Sequence, residues 1–267
     1  MIVISVDGLR PDALLQAQTP QMDQLWQNGA YSWTAQTVLP SVTLVSHASM
    51  LSGVPPEVHG MVWNNWEPSR GYIGVPTVFS LARQNGFATA MVVGKRKLEH
   101  LAAPGTVDRF EFPGNNAEIV GEASVRAIRE LRPGVLFVHF PDPDTTGHAL
   151  GWMSAAQLDA VARVDAAIGQ ILRALDETGQ RPSSLVILSA DHGGHLFSHG
   201  SDDPQDMTIP WIAQGPGVPV GFPISAAVRT FDTAATVLHA LGIPVPAGWA
   251  GTPVLEALPA LAAAGSG

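Results

Sequence analysis

The 267-residue chain contains no cysteine. That excludes disulfides, thiolate metal sites and cysteine nucleophiles together, and leaves the redox compartment open. Charge is also scarce, at 14 % of residues against 46 % hydrophobic. A disordered chain shows the reverse, so this one folds around a core. Basic residues are the scarcer sign, 14 Lys and Arg against 23 Asp and Glu, for a formal charge of −9. A binding surface for a nucleic-acid polymer needs clustered Lys and Arg, and no such partner is expected. No run approaches the ~18 continuous apolar residues of a membrane span. Ile2–Val6 is too short for a signal-peptide core and runs into Asp7. The default expectation is therefore a cytoplasmic protein, a removed leader aside; oligomeric state is not legible. What is plentiful is histidine, nine in all, beside the surplus of acids. Together they are a donor set for a hard or borderline metal bound through oxygen and nitrogen.

Short apolar runs alternate with helix-like segments. Ile2–Val6, Phe87–Val93, Val135–Phe140, Leu185–Ser189 and Ile209–Ile212 read as strands. Thr19–Gly29, Leu44–Leu51, Thr77–Asn85, Ala117–Leu131, Ser154–Thr178 and Thr230–Leu241 read as helices, with Pro20 at a first position and Gly29, Gly53, Gly86 and Gly242 as stops. The strands are apolar throughout rather than at every second residue. This predicts a mainly parallel sheet covered by helices on both faces, an α/β three-layer sandwich. With neither linker nor repeat in sight, one catalytic domain is expected over residues 1–261, followed by a frayed Ala/Gly/Ser tail at 262–267. Gly105–Asn116 and Trp63–Gly74 read as loops.

In such folds functional residues sit beyond the carboxyl ends of the strands, and polar residues recur there. Asp7 either caps the next helix or binds a metal. Asp144 and His148, at i and i+4, fall on one side of a helical turn or tight loop; nearby Asp142 adds negative charge that calls for a cation. Asp191 and His192 precede two glycines, and His199 follows seven residues on. His195 is a ligand, a substrate contact or a loop residue. Thr43 lies before a short helix, where its hydroxyl is a cap or an activated nucleophile; His47 reads as structural. Lys95-Arg96-Lys97 either lies in solvent or stabilises a charged phosphate. Trp63, Trp66 and Tyr72 line a cleft or pack under a loop, and Ser201–Asp206 shapes a rim or is solvated. Taken together, Asp7, Asp144, His148, Asp191, His192 and His199 supply three carboxylates and three imidazoles. With the Thr43 hydroxyl they suffice for two metals, a standard device for displacement at phosphorus.

These blocks resemble the alkaline phosphatase superfamily, and within it the type I phosphodiesterase/nucleotide pyrophosphatase branch. The matching stretches are Val3–Asp12, Pro40–Thr43, Ser49–Asn64, Pro143–His148, Asp191–Gly193 and His199–Gly200, in the family's order. The resemblance implies an alkaline phosphatase-like fold and a two-metal phosphodiesterase acting through Thr43 and a phospho-threonine. One metal, Zn or Mn, would be held by Asp144, His148 and His199. The other would be held by Asp7, Asp191, His192 and Thr43. Asn64 would contact a phosphoryl oxygen, Trp63 and Trp66 the substrate, and His59 would support the loop. Val45 and Ser46 replace the Pro and Asn often found after the nucleophile. Little length remains for the insertions that build a nucleotide pocket in larger members. The alternatives are a phosphomonoesterase or phosphonate hydrolase of the superfamily, a sulfatase-like relative being disfavoured without cysteine, and a metal-binding pseudoenzyme.

Overall fold

A computed structural model describes residues 1–258; the expected tail at 262–267, and the last three residues of the expected domain, lie outside the described residues. Among the described residues, eight strands form one sheet: β1 (Ile2–Val6), β2 (Ala30–Gln36), β3 (Thr89–Val93), β4 (Arg109–Glu111), β5 (Val135–Phe140), β6 (Val186–Ser189), β7 (Thr208–Gln214) and β8 (Phe222–Pro223), ordered β4-β3-β5-β1-β6-β7-β2-β8. The strands from β4 to β6 in that order run parallel, and β7 is antiparallel to both β6 and β2. Every residue of β1, β3, β5 and β6 is buried, as continuous apolar runs require when both sheet faces are covered.

The helices are α1 (Pro11–Gln16), α2 (Pro20–Gln27), α3 (Thr43–Ser52), α4 (Pro56–His59), α5 (Val78–Gln84), α6 (Ala117–Leu131), α7 (Asp142–Leu150), α8 (Ala155–Glu177), α9 (Pro204–Met207) and α10 (Asp232–Ala240). α6 and α8 pack together in one layer with α1 and α2, while α3, α5 and α10 pack together in the other. This is the α/β three-layer sandwich read from the sequence. No helix among the described residues is long and apolar enough to cross a membrane.

Local chemistry explains the boundaries. Thr77 and Ser80 close a capping box on α5, and Asn116 and Ser154 cap α6 and α8. α3 stops at Gly53, whose φ of +67° disfavours other residues and where a Cβ would lie 2.1 Å from the Trp249 ring. Thr19 occupies the cap position of α2, but its hydroxyl donates to Leu14 O at 3.1 Å instead of capping. The free N–H groups of Gln21 and Met22 go to Asp165 on α8. β2 was not expected from the sequence; its half-buried positions are Tyr31 and Trp33, with Ser32 buried between them, and short β4 lies inside the expected Gly105–Asn116 loop.

Candidate active site

The carboxyl ends of β1, β5 and β6 lie side by side, so the residues just beyond them converge. The Asp7 N–H donates to Phe140 O at 2.9 Å, which fixes the end of β1 against β5. Asp144 and His148 sit one turn apart on α7, with Pro143 in the first turn supplying a preset φ. Asp191 and His192 follow β6. Gly193 is required there, because a Cβ would come 2.0 Å from Gln205 O. The segment carrying His192 and His199 is clamped by buried Asp206. Its carboxylate accepts from Ser201 N (3.0 Å) and Ser201 Oγ (2.7 Å) and pairs with His195 Nδ1 (2.7 Å), while its carbonyl accepts from Gly193 N at 2.8 Å. His195 and the 201–206 stretch thus have a defined part, in holding this loop.

Among the described residues, each of the three aspartates has one oxygen satisfied and one free. Asp7 Oδ2 meets Lys95 Nζ at 2.7 Å and His139 Nε2 at 2.8 Å; Oδ1 has no hydrogen-bond partner. Asp144 Oδ2 takes Lys95, and its Oδ1 is free. Asp191 Oδ1 accepts from Gly8 N (3.2 Å) and His192 N (3.0 Å), and its Oδ2 is free. The free oxygens face imidazole Nε2 atoms: Asp7 lies 3.4 Å and Asp191 3.2 Å from His192, and Asp144 lies 3.3 Å from His199 and 3.5 Å from His148.

The other ring nitrogen of each histidine is committed. His148 Nδ1 lies 2.9 Å from Phe197 O, His192 Nδ1 2.8 Å from Gly193 O and His199 Nδ1 2.8 Å from Ser41 O. A carbonyl only accepts, so Nδ1 carries the proton and Nε2 of the neutral ring presents a lone pair. Lone pairs of nitrogen therefore face lone pairs of oxygen, which is unfavourable unless a cation lies between them. Protonating His192 is a poor remedy, since burial and neighbouring His199 push it down to about 4. His199 moves the other way, held up by Asp144 although burial opposes its charge. Burial and the Asp7 charge push Asp191 up to about 7. Burial would raise Asp7 too, but Lys95 and His139 hold it well below the carboxylate range. Two groups have ligand atoms within 4.8 Å of one another, Asp144–His148–His199 and Asp7–Asp144–His192. Either can hold a divalent cation. The first is the trio expected; in the second Asp144 stands where Asp191 was expected.

Thr43 opens α3 and is buried. Its Oγ1 accepts from Lys95 Nζ at 3.4 Å, and the next N–H, of Leu44, donates to Asn64 Oδ1 at 3.0 Å. Lys97 Nζ donates to the same Asn64 oxygen at 3.2 Å. His47 Nδ1 lies 2.7 Å from Thr43 O, and Ser5 meets its Nε2 at 2.8 Å. Burial pushes His47 down to about 4. His59 joins Ser49 and Met61 N. Trp63 and Trp66 both pack on His100, with Arg70 over the first and Arg96 over the second. Sequence alone places neither His139 nor Lys95 against these aspartates. His139 lies within an apolar strand and carries no signal beyond its type. Lys95 belongs to a basic cluster that could equally lie in solvent; its place directly after β3 was the available clue.

The sequence profile of the type I phosphodiesterase / nucleotide pyrophosphatase family matches residues 1–201. The chain belongs to this family. It is 26 % identical to human ectonucleotide pyrophosphatase/phosphodiesterase family member 1 over 222 residues, covering 72 % of this chain and 23 % of that protein. It is 26 % identical to venom phosphodiesterase 2 of Crotalus adamanteus over 215 residues, covering 72 % and 26 %. The chain thus spans about a quarter of the length of these curated relatives. Among solved structures, human ectonucleotide pyrophosphatase / phosphodiesterase 5 superposes with a TM-score of 0.79 at 15 % identity, covering 97 % of this chain and 99 % of that one. A putative sulfatase from Bacteroides thetaiotaomicron superposes with a TM-score of 0.80 at 18 % identity, covering 96 % and 74 %. Membership of the alkaline phosphatase-like fold follows from these likenesses.

Proposed function

We propose that this protein is a phosphoric ester hydrolase that uses two divalent cations and Thr43 as nucleophile on a small-molecule substrate. One observation carries the reading: the three free carboxylate oxygens lie 3.2–3.5 Å from the Nε2 atoms of His148, His192 and His199, beside a buried threonine hydroxyl. Asp144, His148 and His199 would hold one cation, and Asp7, Asp191 and His192, joined by Thr43 and with Asp144 also within reach, the other, with zinc or manganese as the metal. When bound, such cations lower the pKa of a coordinated hydroxyl and stabilise charge on a departing oxygen. Thr43 Oγ1 attacks phosphorus in line with the leaving group and forms a phospho-threonine. Asn64 and the N-terminus of α3 stabilise the phosphoryl oxygens. Water then cleaves the phospho-threonine ester, releasing inorganic phosphate from a monoester or a phosphate monoester from a diester, so two inversions give retention at phosphorus. The family's name makes phosphodiester cleavage the first activity to assay.

The test is a panel of aryl phosphate monoesters, diesters and sulfate esters, with metal analysis of the same sample. Turnover of a phosphate ester with two equivalents of metal, lost in Thr43→Ala while metal stays bound, supports the reading. Unchanged turnover in Thr43→Ala removes the nucleophile, and active protein with well under two equivalents removes the two-metal site. A second reading, phosphomonoester hydrolysis, is favoured by one observation, the pair of lysines at Thr43 and Asn64.

A further inference from the structure

We infer that Lys95 and Lys97 select a substrate whose transferred phosphoryl group carries two negative charges, as in a phosphate monoester, over a singly charged diester. The inference rests on the reading of Thr43 as the nucleophile. The three consecutive basic residues after β3 are sorted by the chain. Arg96 points outward, over the Trp66 ring and beside Glu99. Its two neighbours turn inward: Lys95 reaches the Thr43 hydroxyl and Lys97 the Asn64 oxygen. Both ammonium groups therefore lie where the transferred phosphoryl group would sit, not where a leaving group would depart.

Charge counting decides the class. Two divalent cations bring four positive charges, and Asp7, Asp144, Asp191 and an ionised Thr43 bring four negative ones. Such a site is neutral, and it has no electrostatic ground for preferring a second charge on the substrate. Lys95 and Lys97 add two positive charges. A dianionic phosphoryl group returns the total to zero, whereas a diester leaves one positive charge uncompensated in a partly buried place, where unpaired charge is costly. The two lysines also differ in duty. Lys95 is tied to Asp7 and Asp144, whereas Lys97 touches only Asn64 in the site. Lys97 is thus the cleaner probe, since its loss leaves the carboxylates paired as before.

The experiment compares 4-nitrophenyl phosphate with methyl 4-nitrophenyl phosphate, which share a leaving group and differ by one charge. Both are run on metal-loaded wild type and on Lys97→Met, and inorganic phosphate is titrated into each by calorimetry. The wild type should favour the monoester in kcat/KM. In Lys97→Met that preference should fall by roughly 10²-fold, the scale of removing one preorganised donor, and phosphate binding should weaken at unchanged metal content. A purely structural role would lower both esters in proportion and leave the ratio intact. A wild type that prefers the diester, with a ratio indifferent to Lys97, overturns the inference while the nucleophile reading stands. If neither ester turns over, the phosphate titration decides alone: equal binding by the two proteins overturns the inference, and weakened binding upholds the site. Failure of the nucleophile reading shows separately, as unchanged turnover in Thr43→Ala.

Discussion

His139 Nε2 lies 2.8 Å from Asp7 Oδ2, with both side chains fully buried. The geometry fixes the proton. Gly94 N donates to His139 Nδ1 at 3.3 Å, so Nδ1 accepts and Nε2 donates to Asp7. This is the reverse of the tautomer in His148, His192 and His199, and it suits the reverse task. His139 orients a carboxylate so that the other oxygen, Oδ1, faces the candidate cation site. Replacing it with Leu should weaken cation binding by about 10–100-fold, the usual cost of losing a partner behind a ligand. His139→Gln, which keeps an N–H donor, should recover part of the loss. Chelator competition measures both, and wild-type affinity in the Leu variant would refute the role.

Asp144 Oδ1 belongs to both groups of candidate ligands, whereas His148 belongs to one and is half exposed. The two positions should therefore behave differently under metal analysis. Asp144→Asn should lose both cations, and His148→Ala one of them. Turnover should drop by at least ~10²-fold in the Asn variant, as expected for an interaction on which the whole site depends. Equal metal content in the two variants would show that Asp144 is not shared.

The cations should also stabilise the fold. Without them Asp7, Asp144 and Asp191 keep buried oxygens without partners, and any ligand bound by the native state alone raises stability by mass action. Stripping the protein with a chelator should lower Tm by several degrees, with recovery on adding zinc. A melting curve indifferent to chelator and to metal would contradict the cation site.

How much of this was legible in the sequence follows from the kind of signal. The continuous apolar runs of β1, β5 and β6 announced a covered parallel sheet, and Asp7, Asp144, Asp191 and His192 stood at the ends of those runs. Their convergence needed only that the three strands be neighbours. β2 carries a strand's alternation at Tyr31, Ser32, Trp33 and Thr34, but the run is short and its pattern breaks where the pairing with β7 shifts register between Ser32 and Ala35. Lys95 and His139 were hidden for another reason. Their positions depend on which carboxylates lie across the sheet, and that is long-range information which spacing along the chain does not carry. Trp63 and Trp66 looked alike in sequence, and both went to His100, a partner more than thirty residues away.

Asp206 clamps the loop on which His199 sits. Both its carboxylate oxygens are used, by His195 and Ser201, on either side of His199. Asp206→Ala leaves those donors without their charged acceptor. It should cost about 2–3 kcal/mol, in the range of hydrogen bonds to charged groups, measured as a shifted urea midpoint. Because the same loop carries His192 and His199, cation affinity should fall in parallel. A stability loss with unchanged affinity would mean that the loop holds its shape without the clamp.

Asp165 should make stability fall as pH rises. Its carboxyl is buried on α8 against the backbone N–H groups of Gln21 and Met22, the latter at 2.8 Å. Burial pushes it up to about 6, against the pull of those two N–H groups, from an ordinary value of 3.8. Between those two values the native state binds more protons than the unfolded chain. Stability contributed by this group is then fully present below the lower value and is lost as pH climbs through the higher one. A tenfold difference in proton affinity between the folded and unfolded states is worth about 1.4 kcal/mol, so the slope should be measurable in urea titrations run from about pH 4 to 7. Asp165→Asn keeps an acceptor oxygen for α2 but cannot ionise, and it should flatten that part of the profile. An unchanged slope in the Asn variant would assign the pH dependence to other groups.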